Sequence, residues 1–238
     1  MQISRADPGP AARDLDILTG LLPLARARVL ELGCGAAELT RALAARFPGA
    51  RISALEVDRV QHARNLEGES PPNLVFAYGG ADAIPFPDAS FDIVLMAKSL
   101  HHVPCEAMDG ALAEIARVLA LGGFAAFSEP VYAGEFNDLM SIFHDERHVR
   151  EAAFSALERA VASGRFLLAA EEFHTAKRHY ADFADFESRM LGVTHTDHRL
   201  TAEQFAAVRE RFARQMTPSG AVFAQPMRVD VLQRRAAF

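Results

Sequence analysis

Residues 28–40 read RVLELGCGAAELT. A short apolar run passes through Glu31, a tight turn carries Gly33 and Gly35, and a helix-forming stretch follows. A strand that enters a helix through a glycine turn opens a βαβ unit and aims backbone amides at a ligand. The alternation then repeats. A helix over 36–47 stops at Pro48-Gly49, and a second strand over 51–57 leads to a helix ending near Glu67. LVFAY at 74–78 and FDIVLMA at 91–97 read as strands, a helix runs from Pro104 to Leu119, and FAAFSEP at 124–130 is a fifth strand. The apolar run at 91–97, interrupted only by Asp92, predicts a strand covered on both faces. Strands alternating with helices predict right-handed crossovers and a parallel sheet.

The pattern changes after Glu129. One long helix is expected over 135–163, a strand over 173–180, helices over 182–191 and 201–216, and a last strand over 221–232. Residues 11–22 read as a short amphipathic helix ahead of the first strand. The expected fold is α/β and Rossmann-like. Its sheet is mixed and mostly parallel, with helices on both faces and a helical elaboration after strand five.

At 238 residues, half of them hydrophobic, the chain suits one domain with an elaboration. The net charge of −6 comes with no basic tract, so a nucleic-acid partner is not expected. No run approaches the roughly 20 apolar residues that span a bilayer, nor does the N-terminus resemble a secretion signal. Two cysteines, Cys34 and Cys105, make neither a disulfide framework nor a thiolate zinc site, and a cytoplasmic location is expected.

Ligands of such sheets bind beyond the carboxyl ends of the strands, near the switch point. That directs attention to 31–37, 56–58, 79–82, 97–102 and 129–132. The glycine turn itself decides between ligands. A dinucleotide fingerprint needs a third glycine, and Glu38 stands in its place. Glu31, two residues before Gly33, is a poor neighbour for a pyrophosphate and a good one for a cation. An ammonium and a sulfonium occur together in S-adenosylmethionine, which has no phosphate. The acid closing strand two belongs on a ribose, which favours Glu56 over Asp58; Asp58 is expected to cap the next helix.

Four segments in order resemble the class I S-adenosylmethionine-dependent methyltransferases, and in particular their ubiquinone/menaquinone methyltransferase-like branch. They are ELGCG at 31–35, ALEVD at 54–58, ADAIPFPDASFDIVLMAKSLHHVP at 81–104 and ARVLALGG at 116–123. The resemblance implies a methyl transfer to a small-molecule acceptor with S-adenosylmethionine as cofactor. It implies cofactor contacts from Glu31, Gly33, Cys34 and Gly35, from Glu56 and Val57, from Gly80, Ala81 and Asp82, and from Ala97 and Lys98. Gly80 stands where that branch usually has an adenine-binding aspartate, with Asp82 two residues on. Leu121 replaces the usual proline. The implied organisation is a cofactor core over 1–130, a lid and acceptor wall over 131–217, and a C-terminal strand over 218–238. A nicotinamide oxidoreductase and a cofactor-binding protein without turnover are the alternatives.

His101 and His102 follow strand four, where an imidazole near neutral pH takes a proton from an acceptor. Glu129 and Tyr132, after strand five, are catalytic candidates on the same ground. His144 and His148 in HDERH lack the glutamate directly after the first histidine that a metalloprotease pair needs, and they read as a solvated face or pocket wall. No metal is expected. His174, His179, His195 and His198 show no ligand spacing.

Overall fold

The structure, a computed structural model, describes residues 1–192 and 199–235; His195 and His198 lie outside them. An eight-stranded sheet forms its centre. The parallel part comprises β1 (Arg28–Leu32), β2 (Arg51–Glu56), β3 (Leu74–Tyr78), β4 (Phe91–Ala97) and β5 (Leu119–Pro130). Then come β6 (Phe166–Tyr180), β7 (Met216–Thr217) and β8 (Gly220–Arg234), with β8 antiparallel between β5 and β6. The order is β3-β2-β1-β4-β5-β8-β6, and β7 pairs only with β8.

Alternate residues of each strand serve two different cores. Leu30 and Leu32 of β1, with Val94 and Met96 of β4, pack under α4 (Met108–Val118) and α6 (Arg147–Ala162) through Leu112, Ile115, Ala153 and Leu157. Val29 of β1, with Ile93 and Leu95 of β4, packs under α1 (Asp14–Leu21) and α2 (Glu38–Arg46) through Leu18, Leu43 and Ala44. Helix α3 (Arg59–Glu67) completes the β2–β3 crossover. The chain leaves β1 toward β2 and β3, then returns to β4 on the other side of β1. This reversal opens a crevice at the carboxyl ends of β1 and β4.

The second half departs from expectation in three places. The helix expected over 135–163 is two, α5 (Glu135–Met140) and α6, because 141–146 turns away to pack Ile142 and Phe143 on a third core. The Gln204 amide donates to the Ile142 carbonyl at 3.0 Å, so the interrupted helix does not strand its acceptor. The strand expected over 173–180 begins at Phe166 and pairs with β8 along its length, which makes it part of the sheet. Finally, β5 begins at Leu119 rather than Phe124, facing a register shift in β4 between Phe91 and Ile93. The third core joins Phe136, Leu139, Tyr180 and Phe223 to Phe186 of α7 (Phe183–Phe186) and Phe212 of α8 (Ala202–Ala213). No helix among the described residues is long and apolar enough to cross a membrane.

Candidate active site

The turn after β1 is built from left-handed backbone. Gly33 has φ 68° and Gly35 φ 52°, and Ala37 adopts φ 58°. A Cβ on Gly33 would lie 2.8 Å from the Ser99 Cβ, so Gly33 makes room for the turn after β4 rather than for a ligand. A Cβ on Gly35 would meet nothing within 4 Å, so here the bare backbone faces open space that a ligand can enter.

Two buried acids flank this turn. Glu31 lies on the α1–α2 face of β1, is 3% exposed, and accepts a hydrogen bond from the Thr40 hydroxyl of α2. Burial pushes its carboxyl up to about 7, against the opposing pull of the Thr40 hydrogen bond and the Lys98 charge. Glu56 closes β2. Its Oε2 accepts from Gly35 N at 2.7 Å and its Oε1 from Val57 N and Asp58 N, both at 2.9 Å. That carboxylate therefore ties the ends of β1 and β2 together. Asp58 caps α3, accepting from Val60 N and Gln61 N. Burial pushes the Cys34 thiol up to about 12, so it is an inert part of the turn, with Asn65 donating to its sulfur at 3.6 Å and to the Gly35 carbonyl at 2.7 Å.

Beyond β3, the exposed Asp82 folds back over Gly80, whose added Cβ would sit 2.6 Å from Asp82 Oδ1 and 3.3 Å from Val57 Cγ1. Val57 is 56% exposed at the end of β2, while Ala81 turns into the core. Half-buried Ala97 ends β4, and Lys98 follows with φ 57°. The Lys98 ammonium pairs with Asp14 of α1 at 2.6 Å. Asp14 also accepts from the Ser128 hydroxyl at 2.8 Å and stands 3.1 Å from His174 Nε2. Burial opposes its ionisation, but the His174 hydrogen bond and the Lys98 charge outweigh this and hold the carboxyl well below the usual range. Helix α1 is thereby pinned across the strand ends, and neither Asp14 nor His174 was legible as a site residue.

On the far side of Lys98 a cleft of about 160 Å³ opens between the strand ends and the α5–α6 region. Its polar wall includes Lys98, His101, His102, His144, Glu146 and Arg178, and Phe136, Met140 and Met190 supply apolar surface. His101 sits in the short 3₁₀ turn Leu100–His102 and is 4% exposed. Its Nδ1 contacts Glu129 Oε2, and its Nε2 lies 3.7 Å from Glu146 Oε1. Burial disfavours charge on this ring, but the two carboxylates outweigh burial and raise its pKa. Burial likewise opposes ionisation of Glu129, while the His101 charge and hydrogen bond hold it low. His102 is exposed, with its ring centroid 4.2 Å from that of His101.

Two of the four catalytic candidates thus share this cleft. Glu129 sits behind His101, where it also accepts from Leu100 N at 2.9 Å and orients the imidazole; it lines a second cleft on the other side, not this one. Tyr132 does not join them. Val131 N bonds to the Pro226 carbonyl at 2.9 Å, and the chain carries Tyr132 into that second cleft beneath Arg147, whose guanidinium lies 4.2 Å from the ring centre. Glu146 and Arg178 were missed, because Glu146 reaches the cleft only through the α5–α6 break and Arg178 only through the pairing of β6 with β8. His144 forms cleft wall, and His148 is exposed on α6.

Residues 29–123 match the family model described as a methyltransferase domain. That match takes in 95 of the chain's 238 residues, and over it the chain is similar to methyltransferase domains. Curated methyltransferases align with part of the chain. The 27-O-demethylrifamycin SV methyltransferase of Amycolatopsis mediterranei is 37% identical over 119 residues, 48% of this chain and 43% of that protein. The fatty-acid O-methyltransferase of Mycolicibacterium smegmatis is 37% identical over 107 residues, 43% of this chain and 36% of that protein. The matches thus span about two fifths of these relatives' length. Among solved structures, the YcgJ protein of Bacillus subtilis superposes with a TM-score of 0.64 at 18% identity, covering 94% of this chain and 98% of that one. The [4+2]-cyclase SpnF superposes with a TM-score of 0.62 at 18% identity, covering 98% and 88%. At such identities the likeness is one of fold. The match ends at residue 123, ahead of Glu129, so the cleft wall beyond Pro130 lies outside the matched residues.

Proposed function

We propose that this protein transfers the methyl group of S-adenosylmethionine to a nucleophile on a small molecule. The observation that carries the reading is the crevice end of β1 and β2, where a buried acid, an open glycine backbone and a second acid stand together beside the Lys98 cleft. When bound, the cofactor supplies a methyl already activated by its sulfonium. Glu31 offsets the positive charge of the aminoacyl end. Gly35 lets the backbone approach closely. Three backbone amides already use most of the roughly four acceptor directions of the Glu56 carboxylate, leaving about one for a ribose hydroxyl rather than two. Val57 and the 80–82 turn suit the adenine, with Asp82 in place of the usual acid. Lys98 acts through Asp14, fixing α1 over the crevice.

The chain's task at the reacting centre is alignment and the exclusion of water, worth about 7–11 kcal/mol at best. Residues 131–217 contribute the acceptor wall, with His101 and His102 presenting imidazole to it. The acid at β1 and the missing third glycine argue against a nicotinamide, and the charge pattern argues for a small-molecule acceptor over nucleic acid, in the cytoplasm. Incubation with methyl-labelled S-adenosylmethionine and a panel of small hydroxylated, carboxylic and thiol acceptors tests this: label should move to an acceptor, with S-adenosylhomocysteine formed in equal amount. Cofactor binding with no transfer to any acceptor would favour the non-catalytic binder.

A further inference from the structure

We propose that His101, His102 and Glu146 bind a divalent first-row transition metal ion at the mouth of the acceptor cleft. Each offers one ligand atom, and the three atoms lie within 4.8 Å of one another. An ion about 2.0–2.2 Å from each ligand draws such atoms to roughly 3–4 Å apart. The His101 Nε2–Glu146 Oε1 pair already stands at 3.7 Å. His102 is exposed and supplies the remaining adjustment by turning its ring.

A second observation points the same way. Glu129 holds His101 through Nδ1, which leaves Nε2 directed at the site. A buried carboxylate behind a histidine is the arrangement that fixes the tautomer of metal-binding imidazoles. Glu146 is prepared on its other side: Arg150 bonds its Oε2 at 2.5 Å and 3.1 Å, leaving Oε1 toward the histidines. His144 Nε2, 3.1 Å from the same Oε1, is placed to become a fourth ligand. Two or three imidazoles with one carboxylate suit zinc, cobalt, nickel or iron rather than magnesium or calcium. On binding, any proton on the ligand nitrogens passes to solvent.

The role of the ion rests on the methyltransferase reading. It would hold an acceptor hydroxyl as a Lewis acid and lower its pKa. The hydroxyl proton leaves to water, the oxygen forms a bond to the methyl carbon, and the carbon–sulfur bond breaks with its electron pair kept by sulfur. Sequence spacing concealed this set, since His102 and Glu146 are far apart in the chain and meet only because the α5–α6 helix is broken.

The test uses the full chain after dialysis against a chelator, titrated with cobalt(II) and followed by calorimetry and visible absorption. One ion per chain should bind, with the absorption of a nitrogen-liganded site. His102→Ala, an exposed change, should weaken binding at least tenfold, and Glu129→Gln should weaken it about 10–100-fold. His148→Ala should leave it unchanged. No saturable cobalt binding to the wild-type chain, or binding indifferent to His102→Ala, would overturn the proposal. S-adenosylhomocysteine binding is measured on the same samples: its failure counts against the function proposed above, and failure of cobalt binding alone counts against the metal site.

Discussion

Replacing Glu31 by Gln should make the protein more stable and worse at holding its cofactor. The carboxyl is 3% exposed and stands at about 7 against an ordinary 4.5. The folded chain therefore prefers its neutral form. For an acid raised on folding, the favourable contribution is complete below the unfolded value and is lost as pH rises through the folded one. At about 1.36 kcal/mol per pH unit, the interval costs the folded wild type about 3 kcal/mol in alkaline solution. An amide keeps a partner for Thr40 and carries no charge to bury. For a chain of this size that predicts a melting temperature in Glu31→Gln about 6–12 °C higher at about pH 8. Near about pH 4 the two proteins should melt together. Cofactor binding should show the reverse. A cation beside Glu31 pulls its pKa back down, so binding of S-adenosylhomocysteine near neutral pH should release a proton, seen by calorimetry in buffers of differing ionisation enthalpy. Glu31→Gln should bind at least tenfold more weakly and release none. A variant less stable than wild type in alkali, together with wild-type binding that moves no proton, would show that Glu31 is not held neutral by burial.

Two further substitutions separate the roles of the strand-end residues. Glu56→Ala strips the acceptor from three backbone amides; charge-assisted hydrogen bonds are worth about 1.5–3 kcal/mol each, so both cofactor affinity and melting temperature should fall. Asp58→Ala should cost only the helix cap, about 1 kcal/mol, with affinity nearly unchanged; equal losses of affinity in the two variants would undo the assignment. Gly33→Ala drives a Cβ into Ser99 and should lower the melting temperature more than Gly35→Ala, which meets open space and should chiefly weaken cofactor binding. Thermal melts and calorimetry on both variants check the ranking.

The first half of the fold was legible because its signals are local. Each strand runs into its own turn residue, and Glu31, Gly35, Glu56 and Asp58 sit where the strand ends put them. Gly33 was legible as a position but not as a mechanism: the sequence does not reveal that Ser99 occupies the space beside it. Past Pro130 the signals become tertiary. Helical periodicity continues through 141–146, yet the demand of the aromatic core for Ile142 and Phe143 breaks the helix and turns Glu146 toward His101. Tyr132 follows strand five as expected, but the sequence does not reveal that it enters a different cleft from His101 and His102, because the Val131–Pro226 hydrogen bond, a long-range contact, decides the direction of the chain there. Asp14 lay in a helix whose only visible property was amphipathicity, while its role depends on Lys98, Ser128 and His174, which reach it from three strands or strand ends.

On the function proposed above, the crevice between β1 and β4 holds an adenosyl sulfonium cofactor and not a dinucleotide. Calorimetric titration of the wild-type chain with S-adenosylhomocysteine, and separately with NAD and NADH, tests it most directly. One S-adenosylhomocysteine should bind per chain, with binding lost or strongly weakened in Gly35→Ala and Glu56→Ala, and neither nicotinamide should give saturable heat. Saturable binding of NAD or NADH, with none of S-adenosylhomocysteine, would contradict it.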